Sequence, residues 1–119
     1  MTDFLDADDA ASYLHEWKAR ADRRAADTRA LSYRLGRLRV SAADDNGLTE
    51  VTVDASGVLT GIRFGERIQR VAPEAVARAV MAAHQAARRR AGERTRQIID
   101  ETLGSDSVAG RAIAERMER

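Results

Sequence analysis

Between Leu38 and Phe64, apolar and polar residues alternate in three short runs, LRVSAA, LTEVTVD and VLTGIRF, set apart by DDNG and ASG. A period of two marks strands with one buried face, and Asn-Gly and Ser-Gly suit tight turns that need positive φ. The pattern predicts a three-stranded antiparallel meander. Its first strand runs from Arg37 to Ala42, with Leu38, Val40 and Ala42 on one face and Arg37, Arg39 and Ser41 on the other. The second, Leu48 to Asp54, turns Thr49, Val51 and Val53 inward and Glu50, Thr52 and Asp54 outward. The third, Val58 to Phe64, turns Val58, Thr60, Ile62 and Phe64 inward and Leu59 and Arg63 outward, with Arg63 set against Glu50 or Thr52.

Both flanks change to a helical period. From Asp8 or Asp9 an acid-rich first turn opens a helix, and Leu14, Trp17, Ala21, Thr28, Leu31, Leu35 and Leu38 follow a 3-4 repeat. Arg24 and Thr28 interrupt this seam, either fixing register or marking where a partner surface ends. The helix is expected to stop between Arg34 and Gly36, and about 25 residues span about 38 Å. Leu38 keeps the spacing but is assigned to the first strand. Trp17, the sole tryptophan, is expected to be buried in a helix interface rather than to serve as a stacking platform. After a loop from Gly65 to Ala72, Pro73 opens a second helix reaching about Thr102, with Val76, Ala79, Val80, Ala83, Ala87, Ala91 and Ile98 along one side. Gly92 is a weak point within it or a bend, and Gly104 is a natural stop. Ser105-Asp106-Ser107 can cap a short terminal helix to Met117, or the tail is frayed.

The chain thus divides into an acidic N-terminal tail (1–9), an α-β-β-β-α domain (10–103) and a C-terminal tail (104–119). With 119 residues there is room for one domain, and alanine-dominated apolar content with 4% aromatics makes a thin core. A meander backed by two helices leaves apolar strand surface for a second copy to cover, so oligomerisation is expected to supply part of the stability. Net charge is +1 but segregated: −4 over residues 1–9, +5 over 10–40, −2 over 41–72 and +2 over 73–101. Both helices are basic and the meander is acidic. Of the 20 basic residues all but Lys18 are arginine, the side chain best shaped for bidentate phosphate contact.

Catalytic constellations are missing from the sequence. There is no cysteine, which excludes disulfides and a thiolate nucleophile and fits a reducing compartment. His15 and His84 stand alone, without a second ligand at H-E-x-x-H spacing. No serine sits in a G-x-S-x-G context and no glycine-rich phosphate loop precedes Lys18. The reading is a non-enzyme with no catalytic residue, metal or cofactor and no small-molecule substrate. No apolar run is long enough for a membrane span and the N-terminus lacks a basic signal region, so a cytoplasmic protein is expected. What remains is two basic clusters: Lys18, Arg20, Arg23, Arg24 and Arg29 on the first helix, and Arg88, Arg89, Arg90, Arg94 and Arg96 on the second. Either they are solvated helix surface paired locally with Asp22, Asp27 and Glu93, or they meet phosphate in a salt-sensitive, sequence-independent way.

Three segments taken together, the L-x-V entry, NGLTEVTVDASGVLTGIRF and PEAVARAVMAAHQAARRRA, resemble the YbaB/EbfC family of nucleoid-associated proteins, from about Leu14 to Thr102. The resemblance implies a helix, a three-stranded antiparallel sheet and a second long helix, intertwined as a homodimer whose helices project like tweezers. It also implies double-stranded DNA binding without catalysis, at the nucleoid, in chromosome organisation or gene regulation. The nucleic-acid contacts are then assigned, from charge and helix position, to Lys18, Arg20, Arg23, Arg24, Arg88, Arg89, Arg90, Arg94 and Arg96. The dimer interface is assigned to Leu14, Trp17, Leu31, Leu35, Val51, Val53, Ile62 and Phe64. The Arg-, Ala- and Asp-rich composition is similar to that of actinobacterial members, some associated with type VII secretion. With the acidic first nine residues, this leaves a second function open: a dimeric adaptor that binds another protein.

Overall fold

The computed structural model describes residues 7–104, arranged as a long helix, a three-stranded sheet and a second long helix. Helix α1 spans Ala7–Arg37, with Asp8 and Asp9 in its first turn and Arg34 and Arg37 in its last, the polarity that the helix dipole favours. The last residues of the acidic segment, 7–9, are therefore helical, while residues 1–6 and the 105–119 tail, with its expected capped helix, lie outside the described residues. Strands β1 (Val40–Ala43), β2 (Thr49–Val53) and β3 (Leu59–Phe64) form an antiparallel meander in the order β1-β2-β3. Helix α2 spans Pro73–Leu103, opening on proline and closing at Gly104, whose φ of +85° only glycine adopts readily and whose N–H donates to the Asp100 carbonyl at 2.9 Å.

The first turn is held by Asp44. Its carboxylate accepts from the backbone N–H of Thr49 at 2.9 Å and of Asn46 at 3.2 Å, and Gly47 completes the turn at φ +68°. Burial alone would raise the Asp44 carboxyl, but these N–H groups outweigh it and hold the group below the ordinary carboxylate range. The segment after β3 is more ordered than a loop: Glu66–Arg70 forms a 3-10 helix, and the Arg67 guanidinium donates to the Asn46 carbonyl, tying it back to the first turn.

Two differences from the sequence reading concern the sheet. Leu38 belongs to no strand; it lies between α1 and β1 and packs with Leu35 and Leu103 against Leu31, Ile98 and Ile99. In β3 the register shifts after Thr52: Val51 faces Ile62 and Thr52 faces Gly61, but Val53 faces Leu59. One extra residue, Thr60, is accommodated as a bulge, its hydroxyl donating to the Thr52 carbonyl at 3.2 Å. Strict alternation past that point therefore fails, and Leu59, expected outside, takes the inward side that Thr60 and Val58 were given.

One cluster of the core is Ala42, Val51 and Val53 packed under Ala83, Ala87 and Ala91 of α2, with Val40 and Ala86 at its margin. Small alanine side chains let the helix backbone approach the sheet closely. A second cluster, Leu31 with Ile98 and Ile99, joins the last turns of the two helices. There Arg34 donates to the Glu101 carboxylate at 2.6 Å and to the Thr102 hydroxyl at 3.2 Å, while Arg94 stands 3.5 Å from the other Glu101 oxygen. The Arg34 hydrogen bond, ahead of the charges of Arg34 and Arg94, keeps the Glu101 carboxyl below its usual range.

The molecule is a rod of 88 × 22 × 16 Å with a radius of gyration of 22.8 Å. A compact chain of this length has a radius near 13 Å, so the fold does not close upon itself. Two apolar surfaces stay open. From Asp8 to Ala30 no residue of α1 is buried, and Tyr13, Leu14 and Trp17 are exposed on it. Helix α2 packs on β1 and β2 but not substantially on β3, so Leu59, Ile62 and Phe64 remain open to solvent.

Candidate nucleic-acid interface

The buried stripe of α2 is Ala79, Ala83, Ala87, Ala91, Thr95, Ile98 and Ile99. Helical geometry turns residues midway between these outward, so Gln85, Arg88, Arg89, Gly92, Glu93 and Arg96 share the far side. They line an open groove of about 510 Å³ along that face. Three arginines and one glutamate leave its rim positive.

The arginines assigned from sequence therefore fall into distinct surroundings. Arg88 and Arg89 are exposed on the groove, and Arg96 is half-buried at its end. The Arg88 side chain lies over the β2–β3 turn, where a Cβ at Gly57 would come within 3.1 Å of its Nε. The same turn accepts from the His84 imidazole, Nε2 standing 3.3 Å from the Gly57 carbonyl, so His84 braces the hairpin. Arg90 points the other way along the sheet and donates to the Ser41 carbonyl at 3.1 Å. Arg94 donates to Gln97 at 3.1 Å and reaches Glu101. On α1, Lys18, Arg20, Arg23 and Arg24 are all exposed, on the half of the helix that none of the described residues buries.

The residues assigned to a dimer interface also separate. Val51 and Val53 are fully buried beneath α2 of their own chain, and Leu31 and half-buried Leu35 belong to the α1–α2 cluster. Leu14, Trp17, Ile62 and Phe64 are exposed, Trp17 to 56%. Arg89 and Arg96, seven residues apart, share one face; the sequence reading named these arginines but not Gln85, Gly92 and Glu93, which helical spacing sets in the same groove.

Among the described residues, no cluster of three or more histidine, aspartate or glutamate side chains is placed to hold a metal, and no helix is long and apolar enough to cross a membrane. Two long helices and a three-stranded antiparallel sheet make an α+β fold with cations displayed along both helices. The chain belongs to the YbaB/EbfC DNA-binding family, which it matches over residues 14–106; this is a non-catalytic family. No curated protein matches the chain closely enough to add to that assignment.

Proposed function

We propose that this protein is a homodimeric, nucleoid-associated DNA-binding protein that grips the phosphate backbone of duplex DNA with arginines from both helices, in chromosome organisation or gene regulation. The match to a DNA-binding family over residues 14–106 carries this reading. The exposed cations Lys18, Arg20, Arg23, Arg24, Arg88 and Arg89 support it. Guanidinium groups fit phosphate in two-point contacts, and contacts to phosphate carry no base information, so such binding is tolerant of sequence and released by salt. The exposed Leu59, Ile62 and Phe64 edge supports dimerisation, since a second copy of the chain offers an apolar surface of matching kind.

Mobility shifts on a duplex of arbitrary sequence across a salt series test the function. Binding should fall steeply with salt, and replacing Arg88 and Arg89 together should cost most of the affinity. No shift at low salt overturns the proposal. A second reading, a dimeric adaptor linked to secretion, has one observation in its favour: Tyr13, Leu14 and Trp17 are exposed on the free half of α1. Partners that remain bound to the protein after nuclease treatment would favour it.

A further inference from the structure

Gly92 interrupts α2 within Ala86–Arg94, where alanine, arginine and glutamate, all good helix formers, surround it. Glycine weakens a helix interior relative to alanine, so its presence there calls for a reason. Neither usual reason applies. Its φ is not among the positive ones, and a Cβ built on it meets nothing within 4 Å, so no neighbour among the described residues needs the space. The space opens outward, into the groove rimmed by Gln85, Arg88, Arg89, Glu93 and Arg96. The groove floor at this point is bare helix backbone, with arginines one turn before and one turn after it.

We propose that Gly92 is the seat of a DNA strand: the notch lets a phosphodiester backbone lie against α2, where Arg88 and Arg89 hold it on one side and Arg96 on the other. This rests on the DNA-binding reading and assigns its contacts. The charge of the groove favours a polyanion over an uncharged or cationic partner. Close approach shortens the guanidinium–phosphate contacts and displaces water from them, which strengthens each one. Phosphate contact then falls first to Arg88 and Arg89, the exposed arginines of the groove, while Arg90 and Arg94 also bond to Ser41 and Glu101. Glu93 stands against the bound strand and weakens the grip.

The test compares wild type, Gly92→Ala and Gly92→Leu for duplex binding, with thermal melting and light scattering on the same samples. Alanine should raise the melting temperature and yet lower affinity, because the lost notch and the gained helix propensity act on different properties. Leucine should lower affinity by about tenfold or more, the scale of one lost charge-assisted contact, with the oligomeric mass unchanged. Arg89→Ala should reduce the salt slope by about 0.9, the share of one phosphate. Unaltered affinity in Gly92→Leu, with wild type binding DNA, overturns the proposal and leaves the family function standing. A changed mass in Gly92→Leu overturns it too, since the groove then holds a second copy of the chain. Wild type that fails to bind duplex removes the broader reading and this one with it.

Discussion

Val51 and Ile62 face each other across the β2–β3 ladder, yet Val51 is completely buried and Ile62 is 39% exposed. Directly opposed residues share a face of the sheet, so the difference comes from what lies above them. Helix α2 covers β1 and β2 with its alanine stripe and leaves the β3 edge of the same face open. Phe64, opposite buried Thr49, repeats the relationship at 50% exposure. The apolar layer thus stops halfway across the sheet, at a boundary set by the width of one helix.

If a second copy completes that layer, light scattering should report about twice 13.1 kDa. Ile62→Glu places a carboxylate at the open edge without touching the covered half. It should convert the dimer to a monomer with its helical circular dichroism largely retained, since burying an unpaired charge costs far more than exposing an isoleucine. A variant that stays dimeric would place the interface elsewhere, with the Trp17 side of α1 the next surface to alter.

The alanine stripe sets the distance between α2 and the sheet. Ala87 is fully buried in the cluster that holds Val51 and Val53. Ala87→Leu should therefore destabilise by about 1–3 kcal/mol, the ordinary cost of overpacking, and shift the urea midpoint down with little change in slope. A neutral result would mean that α2 lifts freely from the sheet.

The elements were legible in the sequence because each has one dominant period. Two turns of the DDNG and ASG kind fixed the strand order, and Pro73 and Gly104 bracketed α2 closely. Ile62 and Phe64 lie on the inward side as expected, but Val58, Leu59 and Thr60 were misread because a bulge at Thr60 adds one residue to a period of two, and nothing in VLTGIRF signals where the count slips. Leu38 was misplaced because both a helix and a strand pattern pass through it, and only packing against Ile98 and Ile99 decides between them. The candidate site was half visible. Charge and spacing named the arginines, but which of them are occupied with Ser41 or Glu101 depends on contacts 49 and 7 positions apart along the chain. The role of Gly92 needed the space around it, which no sequence pattern reports.

Acid should loosen the helix pair. Arg34 and Arg94 favour the ionised form of Glu101, and the turn N–H groups do the same for Asp44, so both carboxyls lie below their ordinary values in the fold. Their contribution is complete above the unfolded carboxylate range of about 4 and is lost as pH falls through the lowered folded values. Thermal melts followed from neutral pH downward should show stability declining on the acid side. Glu101→Gln should start less stable and decline less steeply; a parallel decline in both proteins would assign the acid sensitivity to Asp44.

Thr95 sits in the buried stripe of α2 at 2% exposure, and its hydroxyl has no hydrogen-bond partner among the described residues. Its place is between Ala91 and the Ile98–Ile99 pair, so apolar side chains adjoin it along the helix. A buried hydroxyl without a partner has lost water and gained nothing in exchange. Thr95→Val keeps the branched shape and removes the oxygen, and should stabilise the protein by about 1 kcal/mol or more. Chemical denaturation checks the sign directly. If valine destabilises instead, the hydroxyl is bonded in the assembled protein, to water or to a second copy, and comparing the two variants at several protein concentrations tells these apart. A penalty that grows with protein concentration belongs to the assembly, whereas a constant one belongs to a buried water within the single chain.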